Sequence, residues 1–207
     1  MSSQIFRIVF EDPAILVVEK CAPFLSQKAD RGSSEGLYEF ISRTTGTFLI
    51  PVHRLDREVL GLMIFAKTKE AAESLSNQFR DRTVSKRYEA LVRGNVHKDE
   101  DRLEHYLRKN EKTNYVTVFP RETPGAKRAV LSYRVVERLE GVTRLSVELE
   151  TGRSHQIRAQ LAKIGHPIIG DTKYGVSQSE ESEIRLRSVH LAIHHPSTKV
   201  RMEWTLS

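Results

Sequence analysis

The chain has 207 residues, of which 39% are hydrophobic and 29% charged, and it contains one cysteine. This composition excludes a disordered tail and leaves room for one large domain or two small ones. No stretch approaches the roughly 20 apolar residues of a membrane helix, and the N-terminus lacks an apolar signal core, so we expect a cytoplasmic protein. The net charge of +6 suits a polyanionic partner without identifying one.

The spacing of apolar residues predicts strands interspersed with helices. Strands are predicted over residues 15–18, 60–66 and 85–92, and hairpins over residues 127–149 and 189–206. Helices are predicted over residues 37–44, after a cap at Thr68 and after a cap at Ser154, whereas residues 93–103 are interpreted as a loop. Because hairpins outnumber strand–helix–strand units, we expect an α+β fold with a mixed, mostly antiparallel central sheet flanked by helices and loops.

Signatures of several other enzyme classes are absent from the sequence. It has no glycine-rich dinucleotide fingerprint, no P-loop and no His-Glu-x-x-His motif. His190 and His194 are four residues apart, but in a predicted strand that spacing spans roughly 13 Å, too far for one metal ion. We therefore expect no metal and no cofactor.

One segment concentrates charge directly ahead of the apolar strand predicted over residues 60–66. It reads His53-Arg54-Leu55-Asp56-Arg57, so that a single acid lies among two arginines and a histidine. Neighbouring cations favour the ionised carboxylate, which suits a nucleophile, a base or a metal ligand. The structural alternative is an aspartate held in local salt bridges.

A second segment places a Thr151-Gly152 turn between a predicted strand and the helix predicted to begin at Ser154. The free N–H groups of the first helical turn, with Arg153 just ahead of them, favour a phosphate or a protein carboxylate. The structural alternative is an ordinary strand–helix corner. The glycine-rich residues 165–175 that follow predict a tight turn, which brings backbone close to a ligand or to the first segment.

These segments resemble the RluA-type pseudouridine synthases, which isomerise uridine to pseudouridine in structured RNA. Three stretches carry the resemblance in the family's order: His53-Arg-Leu-Asp56, Lys86-Arg-Tyr88-Glu-Ala-Leu-Val-Arg-Gly94, and Thr151-Gly-Arg153-Ser-His-Gln-Ile-Arg158 with its glycine-rich continuation. The similarity extends from about residue 15 to the C-terminus. It implies the pseudouridine synthase catalytic fold with an active-site cleft, as a single domain over residues 1–207 without an accessory N-terminal RNA-binding domain.

The resemblance also implies roles for individual residues. Asp56 is similar to the family's catalytic aspartate, which either attacks the anomeric carbon of the sugar or helps to remove a sugar proton. Arg153 is similar to the basic residue that pairs with this aspartate. Tyr88 is similar to the tyrosine that stacks on the target base and assists loss of the C5 proton.

Recognition of RNA is expected to fall to basic residues near the cleft. Arg54 is a candidate to fill the gap left by a flipped uridine, to hold the flipped backbone, or to serve as a second ion-pair partner of the acid. Phosphate contacts are expected from Arg57, Lys67, Lys86, Arg87 and Arg158. The partner is structured RNA, either tRNA or rRNA, with no membrane and no obligate protein partner, and we expect a monomer.

Two positions depart from the family pattern. Val59-Leu60 stands where the family has Thr-Ser, and Lys20-Cys-Ala-Pro-Phe stands where it often has Lys-Pro-x-Gly. The first departure supports an alternative function, a non-catalytic RNA-binding protein that retains the synthase fold. A further alternative, an aspartate-dependent hydrolase of a small anionic substrate, would need a second acid or histidine base, for which the sequence offers no convincing candidate.

Overall fold

The computed structural model describes residues 4–26, 35–175 and 183–206. The strands of these segments are β1 (Phe6–Glu11), β2 (Ile15–Lys20), β3 (Ile50–Pro51), β4 (Leu60–Ala66), β5 (Ser85–Arg93), β6 (Glu100–Lys109), β7 (Val116–Phe119), β8 (Lys127–Leu139), β9 (Val142–Leu149), β10 (Leu186–His194) and β11 (Arg201–Thr205). The helices are α1 (Leu37–Thr45), α2 (Lys69–Asp81) and α3 (Gln156–Lys163). The chain divides into two compact units, one of residues 1–86 with 187–207 and one of residues 87–186.

The first unit is built around β2 and β4, which pair antiparallel and are buried along almost their whole length. β1 pairs antiparallel with β2, and β10 pairs parallel with β4 and antiparallel with β11. Because both faces of β2 and β4 are covered, their sequences form continuous apolar runs instead of alternating with polar residues. Ala71 and Leu75 of α2 belong to the same core cluster as Ile15, Leu62 and Ile64.

Helix α2 begins where the sequence predicts. The Thr68 side-chain oxygen accepts a hydrogen bond from the Ala71 N–H at 3.1 Å, which satisfies one of the free donors of the first turn. Glu70 in that turn complements the positive end of the helix dipole. The predicted cap at Thr68 is confirmed.

In the second unit, the strands follow the order β5, β9, β8, β6 and β7, and each neighbouring pair is antiparallel. Ala159 of α3 packs in a small apolar cluster with Leu107, Val116 and Ala129. Gly170 has φ +74°, and a Cβ atom there would lie 1.9 Å from the carbonyl oxygen of Glu183. The glycine-rich turn therefore packs backbone against backbone, as its composition predicts.

The predicted fold class is confirmed, since α-helices accompany strands that pair mostly antiparallel. The interpretation of residues 93–103 as a loop is wrong in its second half, because β6 begins at Glu100. Within the described segments, none of the helices has the length and apolar character needed to span a membrane.

Candidate active site

Asp56 lies in the loop of residues 53–59, here called the Asp56 loop, which leads directly into β4. The carbonyl group of Asp56 accepts a hydrogen bond from the Val59 N–H at 3.1 Å, so the chain turns tightly after the acid. Leu55 is 5% exposed and Val59 3% exposed, whereas Asp56 is half-buried. Two buried apolar residues thus flank the acid and fix the loop to the interior.

Ser26 and His53 hold the first half of the Asp56 loop. The Ser26 hydroxyl donates to the Leu55 carbonyl oxygen at 2.6 Å and accepts from the Leu55 N–H at 3.0 Å. His53 Nε2 accepts the Ile64 N–H at 3.0 Å, and the imidazole ring stacks on Phe79 with 4.7 Å between ring centroids. Burial, with a smaller effect of the Lys86 charge, lowers the pKa of His53 to about 3. The ring is therefore neutral at physiological pH and carries its proton on Nδ1.

Lys20 supports the backbone of the second half of the Asp56 loop. It is fully buried at the end of β2, and its Nζ donates to the carbonyl oxygens of Asp56 at 2.9 Å and Arg57 at 2.7 Å. Burial lowers the pKa of Lys20 to about 7. A neutral amine still has two N–H donors, which match the two carbonyl acceptors, so the loop is held in either protonation state.

We expect Lys20→Met to slow the reaction at saturating RNA by about ten- to a hundredfold, because the two carbonyl groups lose their donor and Asp56 loses its fixed position. The free energy of unfolding should change by less than about 2 kcal/mol, since methionine also removes the cost of burying an amine. Single-turnover kinetics beside a denaturant titration measures both quantities. An unfolded or fully active Lys20→Met protein would contradict the assignment of Lys20 as a support of the loop.

The same variant tests the pKa of Lys20. Between about pH 7 and its ordinary value of 10.5, the unfolded chain binds a proton at Lys20 that the folded chain has lost. The free energy of unfolding of the natural protein should therefore rise with pH across this window relative to Lys20→Met. An identical pH dependence of the two proteins would show that the pKa of Lys20 is not lowered.

The Val59-Leu60-Gly61 sequence that replaces the family's Thr-Ser-Gly has a packing explanation. Val59 is buried in the core, where an apolar side chain needs no hydrogen-bond partner. Gly61 has φ +107°, and a Cβ atom there would lie 2.1 Å from the Ser188 carbonyl oxygen, so β4 and β10 approach closely only with glycine at this position. Val59 therefore fits its buried position, and the glycine that the departure leaves unchanged is the one that the close strand approach requires.

Residues 151–156 of the second unit form a turn, here called the Arg153 turn, that leads into α3. The residue that caps α3 differs from the predicted one. Helix α3 begins at Gln156, and its cap is His155 in the left-handed conformation with φ 49°, without a side-chain cap bond. The predicted cap at Ser154 is wrong. Arg153 is exposed, and its Nε donates to the Arg128 carbonyl oxygen at 3.1 Å.

Gln156 organises this turn and is a site residue that the sequence interpretation missed. Its Oε1 accepts the Arg153 N–H at 2.9 Å and the Thr151 hydroxyl at 2.8 Å, and its Nε2 donates to the Val130 carbonyl oxygen at 3.0 Å. The side chain is 3% exposed, so its orientation is fixed by burial as well. The sequence signal that could have identified Gln156 is its position three residues after Arg153. In a capping box, a glutamine at that spacing bonds to the backbone N–H of the earlier residue.

Tyr88 lies on β5 opposite Val147 of β9 and is 6% exposed. Burial of the side chain on β5 limits the motion of the ring, which suits a residue that holds a base by stacking. The stacking role itself stays a prediction.

The predicted RNA-binding cations divide into two groups. Within residues 4–26, 35–175 and 183–206, the first group has no ion-pair partner; it consists of Arg54, Arg57, Lys86 and Arg87. Arg54 and Arg57 are exposed beside Asp56. Lys86 is half-buried with its Nζ 5.3 Å from the Phe79 ring centroid, and burial lowers its pKa. Side chains without an acid partner are available for phosphate.

The second group already has acid partners. Lys67 pairs with Glu11 at 2.7 Å on the surface. Arg158 is 4% exposed, and its Nε and Nη2 donate to the two carboxylate oxygens of Asp171 at 2.8 and 2.9 Å. To reach a phosphate, Arg158 would have to leave a buried, bidentate ion pair, so its position favours a structural role over the predicted phosphate contact.

The structure places the predicted site residues in both units. Asp56, Arg54, Arg57, Lys67 and Lys86 belong to the first unit, and Tyr88, Arg87, Arg153 and Arg158 to the second. Pairing of Asp56 with Arg153 remains a prediction. Among the described residues, no three His, Cys, Asp or Glu side chains converge as metal ligands do.

Comparison with known proteins gives consistent matches. A family model described as RNA pseudouridylate synthase matches residues 14–163. The ribosomal large subunit pseudouridine synthase D of Pasteurella multocida is 35% identical over 217 residues, which cover 96% of this chain and 66% of that protein. The protein of the same name from Pseudomonas aeruginosa is 36% identical over 218 residues, covering 96% and 67%. The chain thus spans about two thirds of the length of these relatives.

Solved structures share the fold. The structure titled Human RNA Pseudouridylate Synthase Domain Containing 1 superposes with a TM-score of 0.79 at 23% identity, covering 98% of this chain and 83% of that chain. The structure titled Human RNA Pseudouridylate Synthase Domain Containing 4 gives a TM-score of 0.78 at 20% identity, covering 97% and 87%. The fold and the family resemblance predicted from the three motifs are confirmed.

Proposed function

Since the chain belongs to the RNA pseudouridylate synthase family, we propose that it is an isomerase that converts uridine to pseudouridine in structured RNA. The observation that carries the proposal is the Asp56 loop. Lys20, Ser26 and His53 fix the backbone around an acid that the His-Arg-Leu-Asp motif matches to the family's catalytic aspartate. A carboxylate held in place before substrate arrives needs little reorganisation during the reaction, which is how an enzyme lowers a barrier by positioning.

The proposed chemistry conserves atoms and electrons. The bond between N1 of the base and C1′ of the sugar breaks, the uracil turns, and C5 bonds to C1′; the proton on C5 is then lost and N1 gains one. Asp56 either attacks C1′ and is later displaced, or removes a sugar proton to leave a glycal and returns it. In both routes the ionised carboxylate acts directly on the sugar.

Two residues of the second unit complete the proposed site. Arg153 pairs with the Asp56 carboxylate, stabilises its ionised form and fixes its direction. Tyr88 stacks on the target base and assists loss of the C5 proton. The Gln156 bond that holds the backbone of the Arg153 turn and the burial of Tyr88 on β5 support these roles.

We propose large-subunit rRNA as the substrate, in preference to tRNA. The support is the name of the relatives, which refers to the ribosomal large subunit. A uridine in folded RNA must leave its stack to reach Asp56, and exposed Arg54 is placed next to the acid to fill the gap or hold the flipped backbone. Arg57, which is exposed next to the acid, is the proposed contact to a flanking phosphate. We expect the protein to act as a monomer in the cytoplasm.

A non-catalytic RNA-binding protein with the same fold is the alternative function. Its support is the loss of the Thr-Ser hydroxyl groups, but Val59 occupies a core position whose packing leaves the Asp56 loop in place. The packing therefore favours the catalytic function. A hydrolase would release free uracil, whereas neither a pseudouridine synthase nor a non-catalytic RNA-binding protein would do so.

Purified protein incubated with large-subunit rRNA labelled with tritium at C5 of uridine should release tritium and yield RNA that contains pseudouridine. A tRNA transcript serves as the matched substrate and should react more slowly. The nucleosides are identified after complete digestion, and the medium is assayed for free uracil. RNA binding without pseudouridine would establish the non-catalytic alternative, and free uracil would establish hydrolysis.

A further inference from the structure

Tyr174 lies at the centre of a cluster that the proposed mechanism does not use. Its ring contacts that of Tyr115 with 4.9 Å between centroids, and the guanidinium of Arg158 lies 5.5 Å from its centroid. Its backbone N–H donates to Asp171 at 3.2 Å, and the same carboxylate holds Arg158. The ring and the backbone of Tyr174 are therefore fixed from several sides within the second unit.

The hydroxyl group of Tyr174 joins two segments that are distant in sequence. It accepts the Val116 N–H at the start of β7 at 2.9 Å, and it lies 2.8 Å from Nδ1 of His155. A peptide N–H can only donate, so the single hydroxyl proton is available for the imidazole nitrogen. Burial raises the pKa of Tyr174 to about 12, so the hydroxyl keeps this proton at physiological pH.

His155 is the residue of the Arg153 turn that most needs such support. Its φ of 49° places a non-glycine residue in the left-handed region, which persists only where surrounding contacts hold it. The turn on one side of it is closed by two bonds between Arg153 and Gln156, and α3 begins on the other side. The backbone conformation of His155 therefore sets how the preceding turn, with Arg153, is oriented relative to α3.

We infer that Tyr174 is a positioning residue: its hydroxyl group ties His155 to β7 and thereby fixes the turn that presents Arg153 to the reaction. The inference rests on the proposed function, because it assigns Arg153 a role in catalysis. Tyr174 acts through His155 and Arg153 and does not itself touch the substrate.

Tyr174→Phe removes the hydroxyl group and keeps the ring. We expect the single-turnover rate at saturating RNA to fall by about tenfold, equivalent to about 1.4 kcal/mol, while the RNA dissociation constant stays within about threefold. Tyr115→Phe is the matched control, because the Tyr115 hydroxyl makes no hydrogen bond in the part of the chain that the structure describes. It should react as the natural protein does.

Two substitutions of His155 separate the hydrogen bond from backbone strain. His155→Gly relieves the left-handed strain but removes the acceptor, so it should slow the reaction as Tyr174→Phe does. His155→Asn tolerates the left-handed conformation and retains an acceptor oxygen, so it should keep most of the rate. The double variant Tyr174→Phe/His155→Gly should be no slower than either single variant, since both remove the same bond.

A Tyr174→Phe protein that reacts at the natural rate when saturated, or that loses RNA affinity instead of rate, would overturn the inference. If Tyr174→Phe does not fold, as judged by thermal melting, the two His155 variants decide, and equal rates for glycine and asparagine would overturn it. Absence of pseudouridine with the natural protein would instead refute the proposed function, so the two failures are distinguishable.

Discussion

Asp56→Asn should abolish pseudouridine formation while the protein still folds and binds RNA. Asparagine is nearly isosteric with aspartate but carries no negative charge, so it can neither attack C1′ nor take a sugar proton. The supports of the Asp56 loop act on the backbone of residues 55–57, and these bonds remain in the variant. We expect the single-turnover rate to fall by on the order of a thousandfold or more.

Glu58→Gln is the matched control for Asp56→Asn. It makes the same change from acid to amide two residues away in the same loop, at an exposed position. It should retain a rate within about threefold of the natural protein, as is usual for a substitution outside the reacting groups. Measurable turnover by pure Asp56→Asn, or equal losses in the two variants, would refute the assignment of Asp56 as the reacting acid.

Arg153→Ala should lose turnover much more than RNA affinity. If its guanidinium pairs with the Asp56 carboxylate, removal of the charge leaves the carboxylate with a free rotamer and a less stable ionised form. Asp56 is half-buried, and the loss of the charged partner of this reacting carboxylate should cost about 2–4 kcal/mol, which corresponds to roughly thirty- to a thousandfold in rate. Lysine should rescue only partly, because it keeps the charge but loses the planar fork.

Single-turnover kinetics beside a binding titration on the same RNA tests this prediction. Arg128→Ala is the control, since Arg128 is an exposed arginine of the same unit that is already paired with Glu104 at 2.6 Å. Its loss should change the rate by less than about threefold. If Arg153→Ala binds about a hundredfold more weakly yet reacts normally once saturated, Arg153 is a phosphate clamp and the catalytic assignment is wrong.

Much of the fold was predictable because local signals agree with it. The apolar run of β4, the cap at Thr68 and the alternating hairpin of β8 and β9 each carry their own pattern, and all three are confirmed. Strand β6 was missed because its inward face is interrupted by polar residues. Leu103 and Leu107 are buried, but half-buried His105 lies between them and bonds to Gln160, so the alternation is broken.

The supports of the site were less predictable, because they depend on contacts between distant residues. Lys20 ends an apolar strand, and nothing in its local sequence shows that its amine reaches carbonyl groups 36 and 37 positions further along the chain. Arg158 is predicted to contact phosphate because it is one of the basic residues expected near the cleft. Its burial against Asp171 follows from tertiary packing that sequence spacing does not reveal.

The helix start after Arg153 was predicted wrongly for a related reason. Serine is a favoured cap, so Ser154 was the natural choice from sequence. In the structure, the Gln156 side chain satisfies the Arg153 N–H instead, and His155 adopts the left-handed conformation. The longer Gln156 side chain reaches back from the first turn of α3 and accepts the Arg153 N–H, so Ser154 is not the cap.

Pseudouridine mapping in ribosomal RNA and tRNA from cells that lack this protein tests most directly whether the chain is a pseudouridine synthase that acts through Asp56. We predict that one or a few defined pseudouridines of large-subunit rRNA disappear. They should return when the natural protein is supplied and stay absent when Asp56→Asn is supplied at the same level. An unchanged pseudouridine map, or full restoration by Asp56→Asn, would contradict the proposed function.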